Sequence, residues 1–348
     1  MRSLMVVNLI LWLALAGSGC EKKTEVQKSE APKGVVQVVG PLKVNDRGTL
    51  LLCGTQEGST VRYYNVRLDA ADGEAKVLAI PGVSRCLGAG WRHNAGSDEL
   101  LWITGGEHNE LIKFDIKANG ISRISSIPID PNYIVTTSSY AWGRSGNVIP
   151  LRAARCDGSG IHLGFLRIDN GVLHESSMSP AGEMLWTDES TFYMVTGYRT
   201  MVLSKAIFNS QTMAVETSEV LRAEEIRLAT QGLDGAVVYL VGTELFAGDR
   251  RLCVLPEKVR PGGRLHVDGG YLAYISSSGM VYVLDRTGDI IRSRQIDEAS
   301  SLFGLSALMR SVYGVTEGLR GEHSYDCVYS YDFEEDTMKE LFSVESQY

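Results

Sequence analysis

The chain has 348 residues, a formal charge of −8 and 44% hydrophobic residues, enough for one large β domain or two average ones. Mild acidity argues against a nucleic-acid partner, which asks for a basic stripe, and against electrostatic adhesion to anionic lipid. Five cysteines besides Cys20 (Cys53, Cys86, Cys156, Cys253 and Cys327) include no Cys-x-x-Cys pair, which argues against a zinc site or a redox motif.

The chain opens "MRSLMVVNLILWLALAGSGC". Arg2 precedes an apolar run, and Gly17, Ser18 and Gly19 lead into Cys20. These are the basic, apolar and small-residue regions of a secretory signal, here residues 1–19. The apolar run falls short of the ~20 residues of a membrane span. With a Cys directly after the small residues, the segment resembles a bacterial lipoprotein signal, with Gly17 where that pattern prefers Leu. The resemblance implies lipidation of Cys20 after cleavage, and an N-terminal lipid such as palmitate that holds the protein on a membrane. It also implies export to the cell envelope, facing the periplasm or the exterior. Glu21 in place of Asp points that anchor toward the outer membrane.

Residues 20–34 continue as "CEKKTEVQKSEAPKG", polar, mixed in charge and without aromatics. Such a stretch buries too little surface to fold and reads as a tether. As a flexible coil it would span about 20 Å. Residues 35–348 form the folded domain.

Within that domain one pattern recurs: an alternating apolar strand, an Asp, a short polar turn and a second strand. "NVRLDAADGEAKVLA", "FDIKANGISRI", "GFLRIDNGVLHES", "VYVLDRTGDIIRSR" and "VYSYDFEEDTMKELF" share it, with Asp69, Asp115, Asp169, Asp285 and Asp332 in the marked place. Asn209 marks a sixth copy. The gap from Asn209 to Asp285 is nearly double the others and leaves room for a seventh, shortened at Gly248-Asp249. Asp and Asn belong there for a local reason: the side chain accepts backbone N–H bonds two residues on. The recurring acids therefore read as turns, not as a metal cluster.

Upstream of each hairpin lies another apolar strand: "TLLLCGT", "ELLWITGG", "NVIPLRAARC", "TFYMVTGY", "AVVYLVGT", "YLAYISSS" and "SVYGVTEG". Before these come strands rich in small residues, clearest in "RCLGAGW", "IVTTSSYAW", "IRLATQG" and "LFGLSALM". "VVQVV", 35–39, is either the inner strand of the first unit or a strand completing the last. "VLRAEEIRLA" is a short helix candidate better read as a connecting loop, and "RRLCVLPEKVRPGGR" reads as an outer strand and a loop. The pattern predicts an all-β fold, a seven-bladed β-propeller of four-stranded antiparallel blades. A pair of β-sandwiches would not produce the repeat. The resemblance is to propeller repeats in general. There is no Trp-Asp repeat and no Asp-box, "LWTD" occurs once, and "ITGGEHNELIKFD" looks like a single kelch unit.

Chemistry-bearing residues are sparse. His108 and His323 share a Gly-Glu-His context between second and third strands, which reads as solvated loop. There is no His-Glu-x-x-His, no Gly-x-Ser-x-Gly, no calcium loop and no phosphate-cradling glycine loop. The sequence therefore names no catalytic set, metal or cofactor. Candidate channel residues on inner strands are Arg85, Arg227, His266 and Glu183. Trp91, Trp142 and Trp186 end inner strands and serve either as wedges between blades or as a partner-contact rim. The expected function is a lipid-anchored, non-enzymatic binding or scaffold module for a protein or glycan partner. A structural role in envelope assembly is a variant of it, and the alternative is an envelope polysaccharide hydrolase or lyase using the central channel. The thiols are expected to be buried and unpaired for the most part, with no pairing selected by the sequence.

Overall fold

The computed structural model describes residues 36–345, apart from 46–48, 58–59, 69–75, 84, 95–96, 106–108, 118–119, 138–146, 159, 177–182, 189, 198, 297–299 and 321–322. The signal segment 1–19, Cys20 and the tether 20–34 lie outside the described residues, as do Asp69, His108 and Trp142. So do the side chains of Cys53, His93 and His323.

Blade 1 is β1 (Val36–Val44), β2 (Leu50–Glu57), β3 (Thr60–Arg67) and β4 (Lys76–Ala79). Blade 2 is β5 (Cys86–Asn94), β6 (Ser97–Thr104), β7 (Glu110–Lys117) and β8 (Gly120–Pro128). Blade 3 is β9 (Tyr133–Thr137), β10 (Val148–Arg155), β11 (Ile161–Arg167) and β12 (Leu173–Glu175). Blade 4 is β13 (Glu183–Trp186), β14 (Thr191–Thr196), β15 (Met201–Asn209) and β16 (Ala214–Ala223). Blade 5 is β17 (Ile226–Leu228), β18 (Val238–Val241), β19 (Glu244–Ala247) and β20 (Arg250–Val254). Blade 6 is β21 (His266–Asp268), β22 (Tyr271–Ile275), β23 (Met280–Asp285) and β24 (Ile290–Gln295). Blade 7 is β25 (Ser301–Ser306), β26 (Ser311–Arg320), β27 (His323–Asp332) and β28 (Thr337–Glu345).

Each blade is one antiparallel four-stranded sheet built in chain order, so the protein is an all-β, seven-bladed propeller. The first strands of neighbouring blades touch: β1 meets β5 and β25, β5 meets β9, β13 meets β17, and β21 meets β25. They are the inner strands, and β1 settles the place of 36–39: it is the inner strand of blade 1, not a fifth strand of blade 7.

The core is divided among the interfaces between blades. Leu50 and Leu52 face blade 2 beside Leu100, Trp102 and Phe114, while Leu51 between them faces Val328 of blade 7. Leu240 joins Leu272 and Tyr274 of blade 6, while Tyr239 joins Leu185 and Val195 of blade 4. A second strand thus has a blade on either side, which is why its sequence is a continuous apolar run rather than an alternation. Outer strands have lost that constraint, and β16 is exposed along most of its length.

Side chains also buckle blade to blade. Asn109 Oδ1 accepts the Val135 amide at 3.0 Å, Thr230 Oγ1 accepts that of Val267 at 3.2 Å, and Asp268 Oδ2 accepts that of Ala307 at 2.7 Å. Backbone groups on the open edge of an inner strand lack a fifth strand to pair with, and these bonds occupy them. Ring closure uses the same device: Val38 N–H donates to Asp326 Oδ2 at 2.6 Å. At that closure Gly304 of β25 faces Val44 of β1, and a Cβ on Gly304 would stand 3.0 Å from Val44 Cγ2. The small inner-strand residue is required by the crowding.

The turn expectation holds with two local changes. Asn209, Asp285 and Asp332 each accept backbone N–H bonds from residues two to four positions on. In blade 3 the turn acceptor is Asn170, which takes the Val172 amide, while Asp169 pairs with Arg167 at 2.7 Å. In blade 2 the strand runs two residues past Asp115 to Lys117, and Asp115 forms an ion pair with Lys117 at 3.2 Å. "VLRAEEIRLA" is neither helix nor free loop: it holds the end of β16 and all of β17.

A candidate site in the central channel

Inner strands present few charged side chains, and the register places several of them at neighbouring heights. Lys43 lies opposite Leu52 and Arg227 opposite Leu240, equivalent positions of their second strands. Glu183, opposite Val195, is one rung away on one side, and His266, opposite Ala273, is one rung away on the other. Arg264 precedes His266 by two residues in the connection that enters β21.

Most of these groups are tied to backbone. The Lys43 ammonium donates to Ala89 O at 2.6 Å, linking blade 1 to blade 2. Arg227 donates to Arg260 O and Gly263 O, each at 3.1 Å, and bonds Glu225, which fixes the segment that carries Arg264. Arg260 in turn donates to Ser300 O of the approach to blade 7. Glu183 accepts the Leu228 amide across the blade 4 to blade 5 boundary. Arg264 is exposed and makes no hydrogen bond or ion pair with a described residue.

Burial draws Lys43 down to about 8, with Cys86 opposing and Arg264 adding to the fall. Burial raises the Glu183 carboxyl, against the pull of the Leu228 amide, Arg264 and Arg227. Burial and then Arg264 push His266 down to about 4. Arg264 contributes at Lys43 of blade 1, at Glu183 of blade 4 and at His266 of blade 6. Cys86, beside Lys43, is pushed by burial up to about 12, and its amide donates to Tyr63 Oη at 3.0 Å.

Of the residues expected in the channel, Arg227, Glu183 and His266 belong to this cluster, while Arg85 is exposed just before β5. Lys43 and Arg264 were not foreseen. Arg264 ends the basic stretch read as outer strand and loop, and that end leads into the inner strand β21. A lone Lys between Leu42 and Val44 is the signal that would have pointed to Lys43.

The tryptophans are placed otherwise. Trp186 ends β13 but is 9% exposed, with its ring 4.8 Å from that of Phe192 and 5.8 Å from that of Phe208. Trp91 lies inside β5 opposite Leu100, not at its end, and is half-buried against the cluster between blades 1 and 2. Both indole N–H groups are buried without an acceptor. Trp186 packs as a wedge between blades 3 and 4. Among the described side chains Cys86 and Cys253 are half-buried free thiols and Cys156 is an exposed one, so the expected burial holds only for Cys327.

No family model matches the sequence, and no curated protein matches it. Among solved structures the chain is similar to prolyl oligopeptidase B from Galerina marginata, bound to a 35mer hydrolysis and macrocyclization substrate. The TM-score is 0.61 at 11% identity, covering 91% of this chain and 51% of that one. It is similar also to a Mycobacterium tuberculosis puromycin-hydrolyzing peptidase, with a TM-score of 0.56 at 12% identity, covering 86% and 53% of the two chains. The chain spans about half the length of these proteins, and at such identities the likeness is one of fold.

Proposed function

We propose that this propeller is a lipid-anchored, non-enzymatic binding module of the cell envelope, exported and held through Cys20. Its partner is a protein or glycan, engaged at the channel. The signal-like residues 1–19 and the polar tether support the anchor. The observation that carries the binding reading is the convergence of Lys43, Glu183, Arg227 and Arg264 from different blades on one ring interior. The test has two arms. Metabolic labelling with an alkynyl fatty acid should mark the wild type and not Cys20→Ser. A soluble form starting after Cys20 should capture a specific partner from envelope extract, and Arg264→Ala together with Arg227→Ala should reduce the capture. Labelling of both forms refutes the anchor, and unchanged capture refutes the channel.

One observation favours a second reading, an envelope polysaccharide hydrolase or lyase. Lys43 is lowered and Glu183 raised in the same ring interior, and titratable groups moved in opposite senses suit acid–base chemistry. Turnover of an acidic polysaccharide that disappears in Glu183→Gln, with binding retained, would favour it. Absence of turnover in the wild type removes it.

A further inference from the structure

We infer that the partner meets the ring on the face of its Asp turns, where Leu308 and Met309 of blade 7 enter an apolar pocket, edged by a cation, on a protein. The inference rests on the reading of a protein partner at the channel and of an anchor at Cys20, and it names the channel mouth that is used.

The first argument is where the chain enters the ring. β1 begins at Val36, which pairs with Glu57, and Glu57 pairs with Thr60 across the hairpin that joins second and third strands. The N-terminal segment therefore joins the ring on the face of those hairpins. The turn 307–310 joins the first and second strands of blade 7, and it lies on the opposite face together with the turn after Asp332. The 8 residues of a second strand such as β2 separate the two faces by about 25 Å. Residues 21–35, read as a coil, span about 20 Å. A path from Val36 across the strands of a blade and down to the turn face is on the order of 40 Å. A bilayer that holds Cys20 thus lies beside the hairpin face, and the turn face looks away from it.

The second argument is the turn itself. Leu308 is 71% exposed, the highest value for a large hydrophobic residue among those described, and Met309 beside it is 37% exposed. A single exposed leucine is ordinary. These two neighbours stand on a turn braced from both ends. Ala307 N–H donates to Asp268 Oδ2 of blade 6 at 2.7 Å, Met309 N–H donates to Ser306 Oγ at 3.2 Å, and Ser311 Oγ donates to Met309 O at 2.8 Å. Arg310, at a φ of 49°, pairs with Glu334. Blade 6 turns beside it with only Gly269 and Gly270, and a Cβ on Gly269 would collide with that of Ala307. The tip is held in place before docking and gives up little freedom on binding.

The third argument is charge. Glu334 is taken by Arg310, while Glu335 beside it is exposed and pairs with no described side chain. A free carboxylate at the edge of an apolar tip suits a cation on the partner and repels an anionic bilayer.

Two measurements on the full, lipidated chain test the inference. In the first, benzoylphenylalanine in place of Met309 is photoactivated in cells that produce the chain. It should yield one protein adduct. The same group in place of Ile124, exposed on the outer strand of blade 2, should yield none. Leu308→Asp and Glu335→Lys should each lower the adduct, the former at least about tenfold, the scale of an interface hot spot. Leu308→Met should keep it, and melting temperatures should not change, since the tip packs on nothing. An adduct with lipid or with a second copy of the chain overturns the inference, as does a protein adduct indifferent to Leu308→Asp. In the second, the chain is placed in vesicles of phosphatidylethanolamine and phosphatidylglycerol that carry a headgroup acceptor dye. A donor dye on Cys156, exposed in the hairpin between β10 and β11, should transfer more energy than one on Leu308→Cys in a Cys156→Ser background. Equal or reversed transfer overturns the orientation. A chain that stays off the vesicles refutes the anchor and this inference with it. If capture still depends on Arg264 and Arg227 while position 309 cross-links to nothing, this surface fails and the channel reading stands. No capture and no adduct remove the protein partner altogether.

Discussion

The carboxylate of Asp326, in the third strand of blade 7, accepts the amide proton of Val38 in the first strand of blade 1 at 2.6 Å. Closure of the ring therefore does not exchange a strand; it relies on one buckle and on the packing of Leu51, Val66 and Val328. Burial raises the Asp326 carboxyl, opposed by the Val38 amide, so the ionised form is held at a cost. A group raised on folding contributes stability below its unfolded pKa and loses it as pH rises. Asp326→Asn keeps an acceptor oxygen and removes the charge, so at pH 7 it should be as stable as the wild type or more so. Asp326→Ala leaves the Val38 amide without its acceptor and should cost about 1–3 kcal/mol. Urea unfolding of both variants decides it; equal losses would mean that the charge itself closes the ring.

The architecture was readable because two of the four strands in a blade are pinned by physics. Second strands lie between two blades and must be apolar throughout, as Leu50–Leu52 are, and third strands end in a turn that wants Asp or Asn. The number of blades followed from those marks. Outer strands answer to solvent on one side and carry weaker marks, so the end of β16, the opening residues of "VLRAEEIRLA", was read as loop. The channel was half legible. Arg227, Glu183 and His266 sit on inner strands that could be recognised, but Arg264 depends on how a glycine-containing loop leads into β21. No local periodicity encodes that path. The tryptophans show a limit of the opposite kind: an indole at a strand end looks the same in sequence whether it faces Phe192 and Phe208 or a partner.

Trp186 gives a stability prediction that separates those roles. Its ring fills the space between blades 3 and 4, and its N–H has no acceptor. Trp186→Ala should cost about 3–5 kcal/mol, the range for losing a large aromatic from a core. Trp186→Phe should cost much less, because the group it deletes makes no bond. Partner capture at a temperature where Trp186→Phe is folded should equal that of the wild type. A capture defect in the folded Phe variant would return this residue to the partner surface.

The thiols should differ in reactivity. Cys156 is exposed, with Sγ 3.5 Å from Pro131 O, while Cys327 is buried and burial raises Cys86 to about 12. The thiolate is the reactive form, so a water-soluble disulfide reagent at pH 8 should modify Cys156 in the folded protein. Cys86 and Cys327 should react only after denaturant is added, as read by mass spectrometry of peptides. Early labelling of Cys86 would show that the blade 1 to blade 2 interface opens in the native state.

His266 should shape the acid limb of stability. It is buried at the start of β21, and burial, then Arg264, hold it at about 4 against a backbone bond with Leu302. Unfolded, it returns to about 6.5, so between these values the unfolded chain holds more protons than the native one. Its contribution is complete above 6.5 and is lost as pH falls toward 4, by a limit on the order of 3 kcal/mol. Glu183 and Asp326, raised on folding, slope the other way, so the net curve alone does not isolate it. The difference between wild type and His266→Gln does. Urea unfolding at pH 7, 5.5 and 4.5 should show the two curves converging as acid removes the advantage of the neutral imidazole. Parallel curves would mean that His266 keeps an ordinary affinity for protons in the folded ring.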